Sequence, residues 1–313
     1  DLKGRATHFA LSDKITLHDV GVSEKFMLHA YGRRLNKILC EIRPDICVSV
    51  GGRDIFCLPS CTDGSIKVSE FHFSHDKYAV KYGGSFFGNI YARFRMRRIE
   101  KVAAKLDKFI VLTKSDKKDW EPFVPNVTSI YNPLTFKSEE VAALDNEKCI
   151  AIGRLESQKN FRDLVAAWKY VAEEYPDWVL EIYGNGSLKK SLQKQITSLG
   201  LDLQVRLMGS SSDIRSKMLD SSCLVMSSAY EGFPMVLLEA VETGLPMVSY
   251  DCPKGPAEII IDGKSGYLVK PGDVEGLARR VCDVISDAGR RKEFGAMAKK
   301  TAAQYSIDRI MEQ

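Results

Sequence analysis

The second half of the chain alternates short apolar runs with segments in which apolar residues recur at helical spacing. Residues 149–153 form an apolar run that ends in a glycine, and apolar residues then recur at helical spacing from Phe161 to Tyr175. The same alternation predicts strands at 178–183, 204–208, 223–227, 246–250 and 266–270, and helices at 187–199, from Asp213 and at 234–243. Strands that alternate with helices are typical of a doubly wound parallel sheet.

The first half alternates in the same way but is less regular. It predicts helices at 23–42, at 85–107 and from Ser115, and strands at 45–50, 65–71, 108–112 and 127–131. Because the stretch 134–147 is polar and irregular, we expect domains at 1–133 and 148–290, a linker at 134–147 and a helical tail at 291–313. The chain does not open with a strand, a glycine-rich turn and a helix, so we expect the first domain to lack an N-terminal segment.

Residues 228–240 combine two carboxylates with a turn that opens an apolar run. Glu231 precedes a Gly-Phe-Pro turn, and Glu239 follows eight positions later. Proline is favoured at the first position of a helix, so we predict that a helix begins at Pro234. Partial positive charge then collects on the free N–H groups of Gly232, Phe233 and Met235. Such a helix start suits a phosphate group, and flanking carboxylates can accept hydrogen bonds from sugar hydroxyls.

The pattern S-x-x-E-G-F-P-x-x-x-L-E-A in this segment resembles the signature of the retaining glycosyltransferases of family 4. Those enzymes have the GT-B architecture, an α/β fold of two Rossmann-like domains that face each other across a cleft. The resemblance implies that Glu231 contacts the donor sugar near the reacting carbon and that Glu239 accepts hydrogen bonds from the ribose. A buried helix with an incidental glutamate at each end is the alternative explanation of the motif.

The loop after the first strand of the second half carries two cations, Arg154 and Lys159. An arginine offers a planar fork to phosphate oxygens, and a lysine offers a point charge. The loop resembles the family pattern G-R-x-x-x-x-K-N, which implies that both residues bind the diphosphate of the donor. Two ordinary surface cations are the alternative. The family's uracil contacts fall at the position of Met208 and Gly209.

Two histidines, His72 and His75, follow a predicted strand of the first half. The family often has a histidine here that faces the donor sugar across the cleft. The two residues compete for that role, and a histidine with a purely structural role is a third interpretation. We favour His72 as a catalytic residue together with Glu231.

The predicted long helix carries Arg93, Arg97, Lys101 and Lys105 at four-residue steps. A solvated basic face is the simpler explanation. The alternative is a patch that contacts anionic lipid headgroups or a phosphorylated acceptor. Enzymes similar to this chain often act on lipid-linked acceptors at the cytoplasmic face of the membrane, which is why an anionic membrane surface is kept as a partner.

Composition limits the remaining classes of function. The 45 basic and 41 acidic residues nearly balance, so charge gives no reason to expect a nucleic-acid partner. Eight cysteines without a C-x-x-C pair indicate a reducing, cytoplasmic compartment. The resemblance to enzymes that act on lipid-linked acceptors implies that the protein is peripheral at the inner membrane. The chain has no D-x-D pair of the kind that holds a cation on a diphosphate, so we expect no cofactor and no metal.

Together these features predict a retaining glycosyltransferase of the bacterial polysaccharide or glycolipid type. It would move a hexose or N-acetylhexosamine from a nucleotide-sugar, UDP-linked, to a saccharide or lipid-linked acceptor. A GT-B epimerase or phosphorylase is one alternative. A non-catalytic subunit that binds nucleotide-sugars is another, and it comes from a different class of function.

Overall fold

The computed structural model describes residues 12–22 and 27–312. The predicted start of the first helix, at residues 23–26, lies outside the described residues. The chain divides between Ser129 and Ile130 into two compact units, each built around its own parallel sheet. Within the described ranges, no helix is long and apolar enough to cross a membrane.

The first unit contains a four-stranded parallel sheet of order β1-β2-β3-β4. Its elements are α1 (Leu28–Ile42), β1 (Ile46–Ser49), β2 (Ile66–Phe71), α2 (Lys77–Tyr82), α3 (Phe86–Ala103), β3 (Lys108–Val111), α4 (Lys114–Trp120) and β4 (Val127–Ser129), with 3-10 helices at Arg53–Phe56 and Leu58–Ser60. The predicted strands and long helices are confirmed, with ends that differ by a few residues. Helix α2 was not predicted.

The core of the first unit is centred on Trp120, which is fully buried at the end of α4. Its ring contacts Phe71 and Phe109 with centroids 5.3 and 4.7 Å away. The indole N–H donates to the Asp116 carboxylate at 3.0 Å, so the polar atom of this large side chain is satisfied where it is buried. This packing fixes α4 against the sheet.

The second unit contains a six-stranded parallel sheet of order β10-β9-β8-β5-β6-β7. Its elements are β5 (Lys148–Ile152), α5 (Phe161–Glu174), β6 (Val179–Tyr183), α6 (Lys189–Ser198), β7 (Val205–Gly209), α7 (Ile214–Leu219), β8 (Cys223–Met226), α8 (Met235–Thr243), β9 (Met247–Tyr250), α9 (Pro256–Ile259), β10 (Gly266–Val269), α10 (Val274–Ile285), α11 (Ala288–Ala302) and α12 (Ile307–Met311), with a 3-10 turn at Ser157–Lys159 and another at Ala303–Tyr305. The predicted doubly wound parallel sheet is confirmed in this unit.

The order of these strands creates one switch point. The chain runs outward from β5 to β6 and β7, and then returns to the other side of β5 to form β8, β9 and β10. The loops after β5 and β8 therefore leave neighbouring strands in opposite directions. In open parallel sheets, ligands bind in the crevice that forms at this point.

Helices α5 and α10 bury apolar stripes against this sheet. In α5, Leu164, Trp168 and Val171 recur at helical spacing and are completely buried. Each such side chain contributes about 1.5–3 kcal/mol through removal from water. Helix α10 packs on α5 and was not predicted, although its N-cap Asp273 accepts a hydrogen bond from the Gly276 N–H.

The stretch 134–147 has no helix or strand, and hydrogen bonds join it to other residues of the second unit. The Ser138 N–H donates to the buried carboxylate of Glu242 at 2.6 Å. Lys299 on α11 donates to the same carboxylate at 2.8 Å and to the Ser138 carbonyl at 2.7 Å. The Leu134 N–H donates to the Tyr305 carbonyl at 2.9 Å, beyond α11. Both the stretch and α11 belong to the second unit. The return of the tail to the first domain stays a prediction.

We expect Glu242→Ala to lower the free energy of unfolding of the second unit by about 2–3 kcal/mol, because it leaves the Ser138 N–H and the Lys299 ammonium without their shared acceptor. Denaturant unfolding of the whole chain measures this loss. Glu293→Ala is the matched control, since Glu293 is exposed on α11, and it should change stability by less than about 0.5 kcal/mol. Equal losses in both variants would contradict the role of Glu242.

Candidate functional site

A salt bridge joins the loops after β5 and β8 at the switch point. The Lys159 ammonium donates to Glu231 Oε1 at 2.7 Å. The side chains of Lys159 and Glu231 are 18% and 9% exposed, so the pair is largely removed from water but still reaches the surface. A cation and a carboxylate predicted separately from two motifs therefore lie in direct contact.

Further hydrogen bonds join the same two loops. The Ala229 N–H donates to the Gln158 carbonyl at 2.8 Å, and the Gln158 side-chain amide donates to the Tyr230 carbonyl at 3.1 Å. The Ser227 hydroxyl donates to the carbonyls of Lys159 and Asn160 at 3.0 and 3.1 Å. The Lys159–Glu231 pair thus lies on a backbone that is bonded on both sides, which limits the positions that either side chain can adopt.

Helix α8 follows Glu231 directly and begins without a side-chain cap. We predicted that it begins at Pro234, but it begins one residue later, at Met235. Pro234 is extended, with ψ of 99°, and its ring packs against Gly255. Among the described residues, no hydrogen bond is seen from the N–H groups of Gly232, Phe233 and Met235. Because the start of a helix carries partial positive charge, these donors can bind an anion.

Gly255 holds the turn that precedes α8. Its φ of +101° favours glycine, and a Cβ atom at this position would lie 2.3 Å from Pro234 Cδ. The Glu231 N–H donates to the Pro253 carbonyl at 3.4 Å, which joins the same two segments. The loop after β9 therefore supports the turn that carries Glu231.

An aromatic cluster that the sequence did not predict fixes Phe233. Its buried ring stacks on Tyr131 with centroids 5.3 Å apart and contacts Tyr305 at 5.8 Å. The Tyr131 hydroxyl donates to the Glu258 carboxylate at 2.7 Å, and the Tyr305 hydroxyl donates to the Glu258 carbonyl at 2.6 Å. Burial, with the bond to Glu258, raises the pKa of Tyr131, so its hydroxyl stays protonated as a donor.

Glu239 lies on α8 and is only partly exposed. The Thr135 hydroxyl donates to its Oε1 at 3.2 Å. Burial raises the pKa of the Glu239 carboxyl above its ordinary value, and the bond from Thr135 opposes that shift. The second oxygen of the carboxylate has no hydrogen bond among the described residues, so it can accept one from a hydroxyl.

Arg154 lies in the loop after β5 and is exposed, without an ion pair in the described part of the chain. The same loop is bonded to the loop after β6: the Leu155 N–H donates to the Asn185 carbonyl, and Glu156 accepts hydrogen bonds from the N–H and hydroxyl of Ser187. The carbonyl of Gly153, the residue before Arg154, lies close to Gly184. A Cβ atom at position 184 would lie 1.9 Å from that carbonyl oxygen. Arg154 is thus carried by a well-fixed backbone.

Met208 and Gly209 end β7 at the same edge of the sheet. The Gly209 carbonyl accepts from the Gly184 N–H at 2.8 Å, and the Asn185 amide donates to the Ser210 hydroxyl at 3.1 Å. The residues predicted to bind the donor therefore lie at or beyond the carboxyl ends of three strands of this sheet, β8, β5 and β7. Their individual roles stay predictions.

The two histidines of the first unit have different surroundings. His75 stacks on Phe123 with centroids 5.8 Å apart, contacts the edge of Trp120, and has Nε2 2.9 Å from the Glu100 carboxylate. His72 is more exposed, and its Nε2 lies 3.4 Å from Glu70 Oε2. His75 thus packs against side chains of its own unit, while His72 is the more exposed of the two; which of them faces the donor stays a prediction.

The chain is similar to a known protein family and to several known proteins. The family model described as glycosyl transferases group 1 matches residues 135–301, more than half of the chain. An uncharacterized glycosyltransferase of Haemophilus influenzae is 25% identical over 99% of this chain and 87% of its own length. The amylovoran biosynthesis glycosyltransferase AmsD of Erwinia amylovora is 33% identical over 66% of this chain and 60% of its own.

Among solved structures, S. aureus TarM in complex with fondaparinux, α-GlcNAc-glycerol and UDP matches with a TM-score of 0.78 at 22% identity. The match covers 90% of this chain and 57% of TarM, so the chain spans less than two thirds of TarM and of AmsD. The predicted α/β GT-B fold is confirmed by this likeness. The chain belongs to the group 1 glycosyl transferases.

Proposed function

We propose that the protein is a retaining glycosyltransferase that moves a hexose or N-acetylhexosamine from a UDP-linked donor to a saccharide or lipid-linked acceptor. The observation that carries the proposal is the Lys159–Glu231 pair beside the uncapped start of α8. TarM has been crystallised with UDP and α-GlcNAc-glycerol, and AmsD is named for amylovoran biosynthesis. Both support a nucleotide-sugar donor and a saccharide acceptor.

The donor diphosphate would bind where positive charge converges. Lys159, Arg154 and the N–H groups that precede α8 supply that charge without a metal ion. When the bond between the sugar and the diphosphate breaks, negative charge grows on the leaving phosphate oxygen. Donors already aimed at that oxygen stabilise the transition state more than the ground state. Metal-independent transfer follows as part of the proposal.

Glu231 has two roles in this proposal. Its carboxylate holds the Lys159 ammonium through one oxygen at 2.7 Å, which leaves the other oxygen to contact the donor sugar near the reacting carbon. The acceptor hydroxyl would attack from the face that the diphosphate leaves, which retains the configuration. The cytoplasm is the proposed setting, where the eight free cysteines would stay reduced.

We expect Lys159→Ala to weaken UDP binding by about 10- to 100-fold, because one charge-assisted contact to the diphosphate is lost. Isothermal titration with UDP measures this, with Lys194→Ala, an exposed lysine on α6, as the matched control.

The variant Glu231→Gln should bind UDP with an affinity within a few-fold of the parent. It should no longer release UDP when it is incubated with a UDP-sugar and an acceptor, and this release is assayed in the presence of EDTA.

Four outcomes of these binding and transfer measurements would contradict the proposal. Unchanged UDP affinity in a folded Lys159→Ala variant would exclude the diphosphate contact. Transfer that requires added Mg²⁺ would exclude the metal-independent mechanism. Tight binding of UDP-sugars by the parent without any UDP release would instead favour a non-catalytic binding subunit, and epimerisation of the donor without transfer would favour an epimerase.

Glu239 should make donor affinity depend on pH. If its carboxylate accepts the ribose hydroxyls, protonation removes an acceptor. Because burial raises its pKa above the ordinary value, affinity for a UDP-sugar should fall as the pH is lowered through that raised pKa. Calorimetric titration with a UDP-sugar, whose diphosphate stays ionised throughout, measures this. Glu239→Gln should bind about tenfold more weakly at neutral pH and lose that pH dependence; an identical pH profile in both proteins would refute the assignment.

We propose that His72 contacts the donor sugar and that His75 does not. His72→Ala should lower kcat by at least about tenfold with UDP affinity unchanged. His75→Ala should instead lower the melting temperature, because it removes contacts to Trp120, Phe123 and Glu100. Steady-state kinetics and thermal unfolding of the two variants side by side distinguish the roles. Full activity in the His72 variant would rule it out.

A further inference from the structure

The first two turns of α3 expose large apolar side chains on one stripe. Phe87, Ile90 and Phe94 recur at helical spacing and are 80%, 52% and 63% exposed, and the adjacent Phe86 is 75% exposed. The opposite stripe of the helix is buried in the first unit, at Ala92, Met96, Ile99 and Ala103. We name the exposed stripe the aromatic face of α3. The exposed side of a helix normally carries polar residues. An exposed apolar patch of this kind indicates a surface that binds a partner.

Cations continue the same stripe toward the end of the helix. Arg97, Arg98 and Lys101 are exposed on the side of α3 that carries the aromatic face. Residues 77–105 contain eight lysines and arginines and a single acidic residue, Glu100. That carboxylate is buried and paired with His75, so it does not neutralise the surface. The outward side of α3 is therefore apolar in its first half and cationic in its second.

We infer that the aromatic face of α3 docks on an anionic lipid bilayer. In this arrangement the helix lies in the plane of the membrane surface, with Phe87, Ile90 and Phe94 among the upper acyl chains. Arg97, Arg98 and Lys101 then contact the phosphate-bearing headgroups. Apolar burial and electrostatic attraction add in such helices, and binding that depends on both is sensitive to lipid charge.

Charge complementarity decides between a bilayer and a protein as the partner. A protein surface that matched this stripe would have to offer an apolar groove and an acidic patch in one fixed register. An anionic membrane offers both without a register, since its apolar interior lies directly below its negative phosphates. The lack of any exposed acid between residues 77 and 105 fits a uniformly negative surface.

This inference deepens the proposed function, because it accounts for how the enzyme would reach a lipid-linked acceptor. Vesicle binding is measured without donor or acceptor, so its result is independent of the transferase proposal. Conversely, UDP binding in the second unit should be the same in all variants of α3. Failure of one proposal can thus be told from failure of the other.

The test is co-sedimentation of the full chain with vesicles of phosphatidylcholine mixed with phosphatidylglycerol, or of phosphatidylcholine alone. The parent should bind the mixed vesicles, bind the neutral ones much more weakly, and dissociate as salt is raised. Phe87→Ser with Phe94→Ser should lower the partition coefficient at least about tenfold. Leu203→Ser, which changes an equally exposed apolar side chain in the second unit, should leave it unchanged.

The cationic half is tested in the same assay at low salt. Arg97→Ala with Arg98→Ala should lower binding to the anionic vesicles about thirtyfold, from about a fivefold loss per arginine. Lys292→Ala with Lys300→Ala, which removes two exposed cations of α11, is the matched control and should bind as the parent does. All these positions are exposed, but the Arg98 guanidinium also lies 4.8 Å from the centroid of the Phe56 ring, so melting temperatures are measured to exclude unfolding.

Three results would overturn the inference. The first is a parent that does not bind the anionic vesicles, and the second is a Phe87 and Phe94 double variant that binds them as well as the parent does. The third is a parent that is dimeric by light scattering and becomes monomeric in the same double variant. That third result would assign the aromatic face to another copy of the chain.

Discussion

The contact between Lys159 and Glu231 depends on the order of the strands in the second sheet. The two residues are 72 positions apart in the chain, yet their side chains meet because β5 and β8 are neighbours. Each loop contributes one charge, and neither loop alone would hold a buried partner for it. The uncapped start of α8 follows in the same loop as Glu231, so the topology also brings a second source of positive charge, beside Lys159, to this edge.

The surroundings of this contact keep it in place. Phe233 is fixed by aromatic packing, and Gly255 allows Pro234 to approach closely. Hydrogen bonds between the loops after β5, β6 and β7 hold the backbone that carries Arg154 and Gly209. A site that must stabilise charge in a transition state benefits from such rigidity, because its dipoles need not reorganise during the reaction. These contacts hold rigid the residues that we propose bind the donor diphosphate.

Most of the fold could be predicted from the sequence because apolar periodicity reports local structure. The strands of the second sheet ended within a residue or two of their predicted positions, and the family motif located Glu231 and Lys159. Helix α2 was missed because six residues are too few to show a period. Helix α10 was missed although Leu277, Val281 and Val284 recur at helical spacing and two aspartates cap α10 and α11, so that signal was available.

Contacts between distant residues could not be predicted, because one sequence does not record which side chains meet. The bonds of Glu242 to Ser138 and Lys299, and of Tyr131 to Glu258, are of this kind. The aromatic face of α3 is another case. The spacing of its arginines indicated a basic face, but only the structure reveals that Phe87 and Phe94 point to solvent rather than to the core.

A crystal structure of the chain with a bound UDP-sugar tests the central claim most directly. The account predicts diphosphate oxygens within hydrogen-bond distance of the Lys159 ammonium and of the N–H groups of Gly232 and Phe233, with the Arg154 guanidinium turned toward them. A diphosphate bound away from the loops after β5 and β8, with the Lys159–Glu231 pair untouched by the ligand, would contradict it.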